Sequence, residues 1–117
     1  MRILLVDDDA SCREAVTMLL EFIGCQIDPA ASGQEAIQKY HPARYDAVLT
    51  DFQMSGMNGL ELAAELKKRY PEAYIILCSA YDGIANHHIN ASLPKPASIN
   101  DFREALKLLR TSACAVA

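Results

Sequence analysis

The chain opens MRILLVDDDA (residues 1–10), an unbroken apolar run, Ile3 to Val6, that ends in three consecutive carboxylates, Asp7, Asp8 and Asp9. An apolar run without alternation reads as a strand buried on both faces, the habit of parallel sheets covered by helices on each side. The next stretch, Ala10 to Ile23, repeats apolar residues at helical spacing, with Val16, Leu19, Leu20 and Ile23 on one side, and Gly24 closes it. A buried strand leading directly into an amphipathic helix is half of a βαβ unit, so the rest of the chain is expected to repeat it.

It does so. QIDPA (26–30) is a weak strand, and Ser32 with Glu35 three residues later forms a capping box for a helix through Ile37 and Tyr40, ended by Pro42. DAVLT (46–50) is a third strand; Leu60, Ala63, Leu66 and Tyr70 line a third helix before Pro71; AYIILCS (73–79) is a fourth strand. The pattern weakens over residues 80–90. A short strand, ASLPK (91–95), follows, and Ser98 caps a last helix with Ile99, Phe102, Leu106 and Leu109 inward. Five strands joined by right-handed crossovers predict an α/β fold: a five-stranded parallel sheet in the flavodoxin-like order 2-1-3-4-5 with helices on both faces. Pro29 and Pro94 fit that order, since they fall in the second and fifth strands, the edges, where a missing donor is tolerated.

A chain of 117 residues is expected to be one domain, residues 1–117, starting at Met1 with nothing before it; the tail TSACAVA leaves open whether an effector domain follows. The composition, 51% hydrophobic and 22% charged, is that of a globular protein, and no apolar run approaches the roughly 20 residues of a membrane helix. A net charge of −4 offers no basic footprint, which argues against nucleic acid and membrane and for protein partners. Cys12, Cys25, Cys78 and Cys114 lack C-x-x-C spacing, and carboxylates begin where a signal peptide would be apolar, so a cytoplasmic location is expected.

In an open parallel sheet, ligands bind beyond the carboxyl ends of the strands where the strand order reverses. Here that crevice lies between the first and third strands, which end in Asp7, Asp8 and Asp51; the fourth ends in Ser79 and the fifth in Lys95. Adjacent carboxylates repel one another, and a divalent cation removes the penalty. All the donors are hard oxygens, which suits Mg²⁺, an ion that commonly takes one or two carboxylates and a phosphoryl oxygen.

ILLVDDD, LTDFQMSGMNG, LCSA and LPKP, in this order and each at a strand end, closely resemble the motifs of the receiver domain of two-component response regulators, over nearly the whole chain. The resemblance implies a signalling switch rather than an enzyme, one that assists its own phosphorylation and dephosphorylation. Asp51 would take a phosphoryl group from a sensor histidine kinase or a histidine phosphotransfer protein. Asp8 and Asp51 would ligate Mg²⁺ directly, the Gln53 backbone carbonyl would be another ligand, and Asp7 would act through water. Lys95 would pair with phosphoryl oxygens, Ser79 would hydrogen-bond them, and the Lys95–Pro96 bond is expected to be cis.

Other classes fit less well. A haloacid-dehalogenase-like phosphohydrolase typically needs an aspartate where Gln53 stands, and a flavodoxin-type carrier needs a Ser/Thr/Gly-rich loop where the carboxylates are. The alternative is a degenerate receiver, an interaction module with little phosphorylation-driven switching, because the chain departs from the family three times. Ser55 replaces a usual proline, Ser92 stands where the family often has an aromatic switch, and Ser79 to Lys95 is about a turn and a half short. The fourth helix of the family is therefore expected to be reduced or missing, with at most one helical turn over residues 80–91 and raised mobility there. The consequence would be partly exposed apolar surface on an 80–110 face that binds a downstream target or a second copy of the chain.

Several residues invite a plainer reading. Asp9 reads as an N-cap, Asp46 as a strand start, His87 and His88 as exposed loop residues, and Gly56 and Gly59 as shapers of the loop before the third helix.

Overall fold

In a computed structural model that describes residues 1–80 and 88–116, five parallel strands form one sheet in the order β2-β1-β3-β4-β5. The strands are β1 (Arg2–Val6), β2 (Gln26–Ala30), β3 (Ala47–Asp51), β4 (Ile75–Ser79) and β5 (Ala91–Pro94). The described helices are α1 (Ala10–Phe22), α2 (Gly33–Lys39), α3 (Gly59–Arg69) and α4 (Ile99–Val116). Pro29 and Pro94 do sit in the two edge strands, and the expected order holds. The expectation of a reduced or missing fourth helix falls mostly on residues 81–87, outside the described residues.

Side-chain alternation along β1 builds two cores. Ile3 and Leu5 join Leu20, Leu49, Ile76 and Phe102 on the side covered by α1 and α4. Leu4 and Val6 join Ala36, Val48, Leu62, Leu66 and Ile75 on the side of α2 and α3. Burial on both faces explains the unbroken apolar runs Ile3–Val6 in β1 and Ala47–Leu49 in β3.

The helix starts follow local chemistry. Asp9 caps α1 by accepting from the N–H groups of Ser11 and Cys12, as its position just before the helix implies. Ser32 caps α2 through the Glu35 N–H, but the Glu35 carboxylate returns to the Ala31 N–H rather than to Ser32, so the box closes one residue early. Ser98 and Asp101 cap α4 reciprocally. A second reciprocal box, Asn58 with Glu61, starts α3. Inside α3 the inward face carries Leu62, Ala63 and Leu66, with Leu60 only partly buried, a rotation from the expected face.

Among the described residues the large apolar side chains that stand exposed are Met1, Met18 and Phe22, none of them on the 80–110 face, where Leu93, Phe102 and Leu106 are buried. Ile89, Ala91 and Leu109 on that face are half-buried, and the remainder of the expected patch lies outside the described residues.

Candidate functional site

The sheet delivers its polar residues to one place because the ladders run slightly past the apolar segments. The Asp7 N–H donates to the Ala30 carbonyl at 3.1 Å, which keeps Asp7 against the sheet and 5% exposed. The Phe52 N–H donates to the Cys78 carbonyl at 2.9 Å, and Asp51, paired in register with Cys78, is 8% exposed. Ser79, the next residue on β4, is buried and pairs in register with Pro94, after which the chain emerges as Lys95.

The four charged side chains converge. Oxygens of Asp7, Asp8 and Asp51 lie within 4.8 Å of one another. The Lys95 Nζ lies 3.0 Å from the Asp51 Oδ1 and 3.7 Å from the Asp7 Oδ2. The Lys95–Pro96 peptide is cis. Asp7 Oδ1 also accepts from the Asp9 N–H at 3.0 Å, while the Arg13 guanidinium donates to the Asp7 backbone carbonyl at 2.6 Å. Asp8 is exposed, and its Oδ2 accepts from the Ser55 N–H at 2.9 Å. Gln53 is exposed on the β3–α3 loop, two residues after Asp51.

The loop is shaped by two glycines, as the sequence implies. Gly56 adopts φ +78°, a left-handed conformation that side chains resist. Gly59 is required by space: a Cβ there would collide with the backbone carbonyl oxygen of Asp51 and with Leu77. Its N–H closes the loop onto the Phe52 carbonyl at 2.8 Å. α3 therefore starts directly against the end of β3.

The charges are out of balance. Burial pushes the Asp7 carboxyl above the usual range, and the Asp9 N–H and Lys95 reduce that shift without cancelling it. The backbone N–H of Ser55 holds the exposed Asp8 carboxyl below the usual range. Burial pulls the Lys95 ammonium down, yet its hydrogen bond and ion pair with Asp51 outweigh this and leave it raised, so it stays charged. Cys78, at the base of the site, has its thiol pushed up to about 12 by burial, with the Asp51 charge adding to the effect, and remains a protonated apolar neighbour. Three carboxylates thus share one ammonium, in a site offering only oxygen donors. That combination fits a hard divalent cation such as Mg²⁺.

Of the residues singled out from sequence, the fold gathers Asp7, Asp8, Asp51 and Lys95 into contact distance and sets Ser79 on the adjoining strand end. Asp9 serves as a cap. Asp46 stands just outside β3, where its carboxylate accepts from the Arg2 N–H at 2.7 Å. The contributions of Ser55 and Arg13 carry no sequence signal, since each depends on a tertiary hydrogen bond to the β1–α1 turn.

The fold and the sequence have counterparts. A model of the response regulator receiver domain matches residues 3–107. The positive alginate biosynthesis regulatory protein of Pseudomonas aeruginosa is 36% identical over 114 residues, covering 92% of this chain and 46% of that protein. Response regulator MprA of Mycolicibacterium vanbaalenii is 30% identical over 115 residues, 93% of this chain and 50% of that protein. The chain therefore spans about half the length of these curated relatives. Among solved structures, the response regulator TrrA of Thermotoga maritima, in complex with Mg²⁺ and BeF, has a TM-score of 0.84 at 35% identity, over 92% of this chain and 97% of that one. TrrA is also known bound to the histidine kinase ThkA, with a TM-score of 0.82. With that family model matching residues 3–107, most of its length, the chain belongs to the response regulator receiver domain family.

Proposed function

We propose that residues 1–117 form a receiver that accepts a phosphoryl group on Asp51 from the phosphohistidine of a sensor histidine kinase or histidine phosphotransfer protein, and switches a protein-interaction face in response. A receiver domain is a signalling domain rather than a classical enzyme. The observation that carries the reading is the convergence of the Asp7, Asp8 and Asp51 oxygens within 4.8 Å, with the Lys95 ammonium 3.0 Å from Asp51. TrrA supports it, as a 35% identical relative bound to Mg²⁺ and BeF and to a histidine kinase.

In the transfer, the N–P bond of phosphohistidine breaks and an O–P bond forms to an Asp51 carboxylate oxygen, giving an acyl phosphate; hydrolysis returns the carboxylate and inorganic phosphate. Asp8, Asp51 and the Gln53 backbone carbonyl would hold Mg²⁺, with Asp7 acting through water. When bound there, Mg²⁺ would supply charge neutralisation for the transferring phosphoryl group. Lys95, released from its ion pair with Asp51 as that carboxylate is phosphorylated, would turn to the phosphoryl oxygens, and the Ser79 hydroxyl would donate to one of them. The domain assists both its phosphorylation and its dephosphorylation through these same groups.

The downstream partner is a protein target or a second copy of the chain, reached through the 80–110 face. A cytoplasmic location accords with Cys12, Cys25 and Cys78 forming no disulfide among the described residues. Phosphotransfer from a panel of radiolabelled histidine kinases tests the reading. Label should appear on the wild-type chain from at least one kinase and be absent from Asp51→Asn; a chain that no kinase labels is an interaction module instead.

A further inference from the structure

The β3–α3 loop is fastened at two points. At its helical end, Asn58 and Glu61 cap α3 and the Gly59 N–H bonds the Phe52 carbonyl. At its outer edge it reaches the opposite side of the site, where the Ser55 N–H donates to Asp8 Oδ2 at 2.9 Å across a sequence separation of 47. The Ser55 hydroxyl also hydrogen-bonds the same carboxylate. One loop residue therefore supplies two donors to one carboxylate.

Asp8 needs such a restraint. It is the exposed member of the acidic cluster, so packing does not fix it. Repulsion from Asp7 and Asp51 drives it outward, where water would solvate it fully. Two donors on a short loop oppose that motion. They do not consume the carboxylate, which offers about four lone-pair directions and can hold a cation while accepting from an N–H.

We propose that Ser55 is a positioning residue for the cation site, its N–H and hydroxyl holding the Asp8 carboxylate beside Asp7 and Asp51 so that the loop after Asp51 becomes part of the site's preorganisation. This rests on Asp8 being a cation ligand. The backbone N–H is the larger contributor, because it is fixed in direction while the hydroxyl must give up rotational freedom to bond. Coupling of this kind is reciprocal: a loop that favours cation binding is itself tightened when the cation binds.

Mg²⁺ affinity measured by amide shift titration tests the proposal on the wild-type chain and on Ser55→Ala, Ser55→Gly, Ser55→Pro and Asp8→Ala. Loss of the hydroxyl alone, in Ser55→Ala and Ser55→Gly, should weaken binding about two- to threefold, and loss of both donors in Ser55→Pro about tenfold, the size expected for hydrogen bonds to a charged group. Because Ser55 is exposed, melting temperatures should hardly change. Ser55→Pro binding Mg²⁺ as tightly as Ser55→Ala would overturn the role of the N–H. Should Ser55→Pro fail to fold, exchange of the Ser55 amide in the wild type decides: it should slow on adding Mg²⁺, and unchanged exchange overturns the proposal. Loss of binding in Asp8→Ala without loss in Ser55→Pro would defeat the positioning role alone, whereas unchanged binding in Asp8→Ala would defeat both it and the cation assignment.

Discussion

Two charged clusters sit towards opposite ends of the same sheet, and they are built on different principles. Near the amino ends, Asp28 Oδ2 accepts from the Arg2 guanidinium at 2.8 Å and from the Tyr45 hydroxyl at 2.8 Å, while the Arg2 guanidinium lies 5.5 Å from the centre of the Tyr45 ring. The hydrogen bond from Tyr45, with the bond and charge of Arg2, holds the Asp28 carboxyl below its usual range despite partial burial. Charge and donors there are matched. At the carboxyl ends three carboxylates share one ammonium, and the most buried of them, Asp7, is pushed upward. A cluster that serves stability completes itself, whereas one that serves binding leaves a deficit for its ligand to fill.

The sharpest way to break this contrast is to remove one carboxylate from each cluster. Asp8→Ala should weaken Mg²⁺ binding by tenfold or more, whereas Asp28→Ala should leave it unchanged and lower the melting temperature, as calorimetric titration and thermal unfolding would show. Asp9→Ala should resemble Asp28→Ala, costing about 1 kcal/mol as a lost cap with Mg²⁺ affinity intact. Equal losses of affinity at Asp8 and Asp9 would dissolve the distinction between ligand and cap.

A smaller effect separates the hydrogen bond from the charge. Tyr45→Phe removes one donor to Asp28 and should cost about 1–2 kcal/mol in denaturant unfolding, with no change at the acidic site.

The pH dependence has opposite signs at the two ends. Asp28 has a folded pKa below its unfolded value, so its stabilisation is present above the unfolded carboxyl pKa of about 3.9 and is lost as pH falls through the folded value. Asp7 has a raised folded pKa, so the folded state binds the extra proton between the unfolded value and the raised one. Its contribution therefore lessens stability as pH rises through that window. Asp7→Asn keeps an oxygen for the Asp9 N–H and should raise the melting temperature of the metal-free protein at neutral pH while weakening Mg²⁺ binding. Unfolding curves from pH 3 to 8, with and without Mg²⁺, would reveal a variant that fails to gain stability, and with it an Asp7 that carries no strain.

The two clusters were not equally legible in the sequence. The acidic site could be read because parallel topology places strand ends together, so DDD, Asp51, Ser79 and Lys95 needed only the strand order, which the common five-stranded arrangement supplied and Pro29 and Pro94 supported. The Arg2–Asp28–Tyr45 network could not, since QIDPA reads as a weak strand and its partners lie 26 and 17 residues away with no topological rule to join them. Asn58 and Glu61 have the spacing of a capping box, but the glycines around them read as loop. The inward face of α3 was misplaced by choosing Leu60 over Leu62, two leucines that propensity does not distinguish and packing against β1 and β3 does. Ser55 was legible only as a departure from a proline; that its N–H serves Asp8 follows from the folded loop.

The central claim is that the unbalanced site exists to receive a phosphoryl group on Asp51. Incubation with acetyl phosphate, with and without Mg²⁺, followed by intact mass and peptide mapping, tests it most directly. The account predicts one acid-stable, base-labile phosphoryl group, dependent on Mg²⁺, mapped to Asp51 and absent from Asp51→Asn; a phosphoryl group of that kind persisting in Asp51→Asn, or none formed on the wild type, would contradict it.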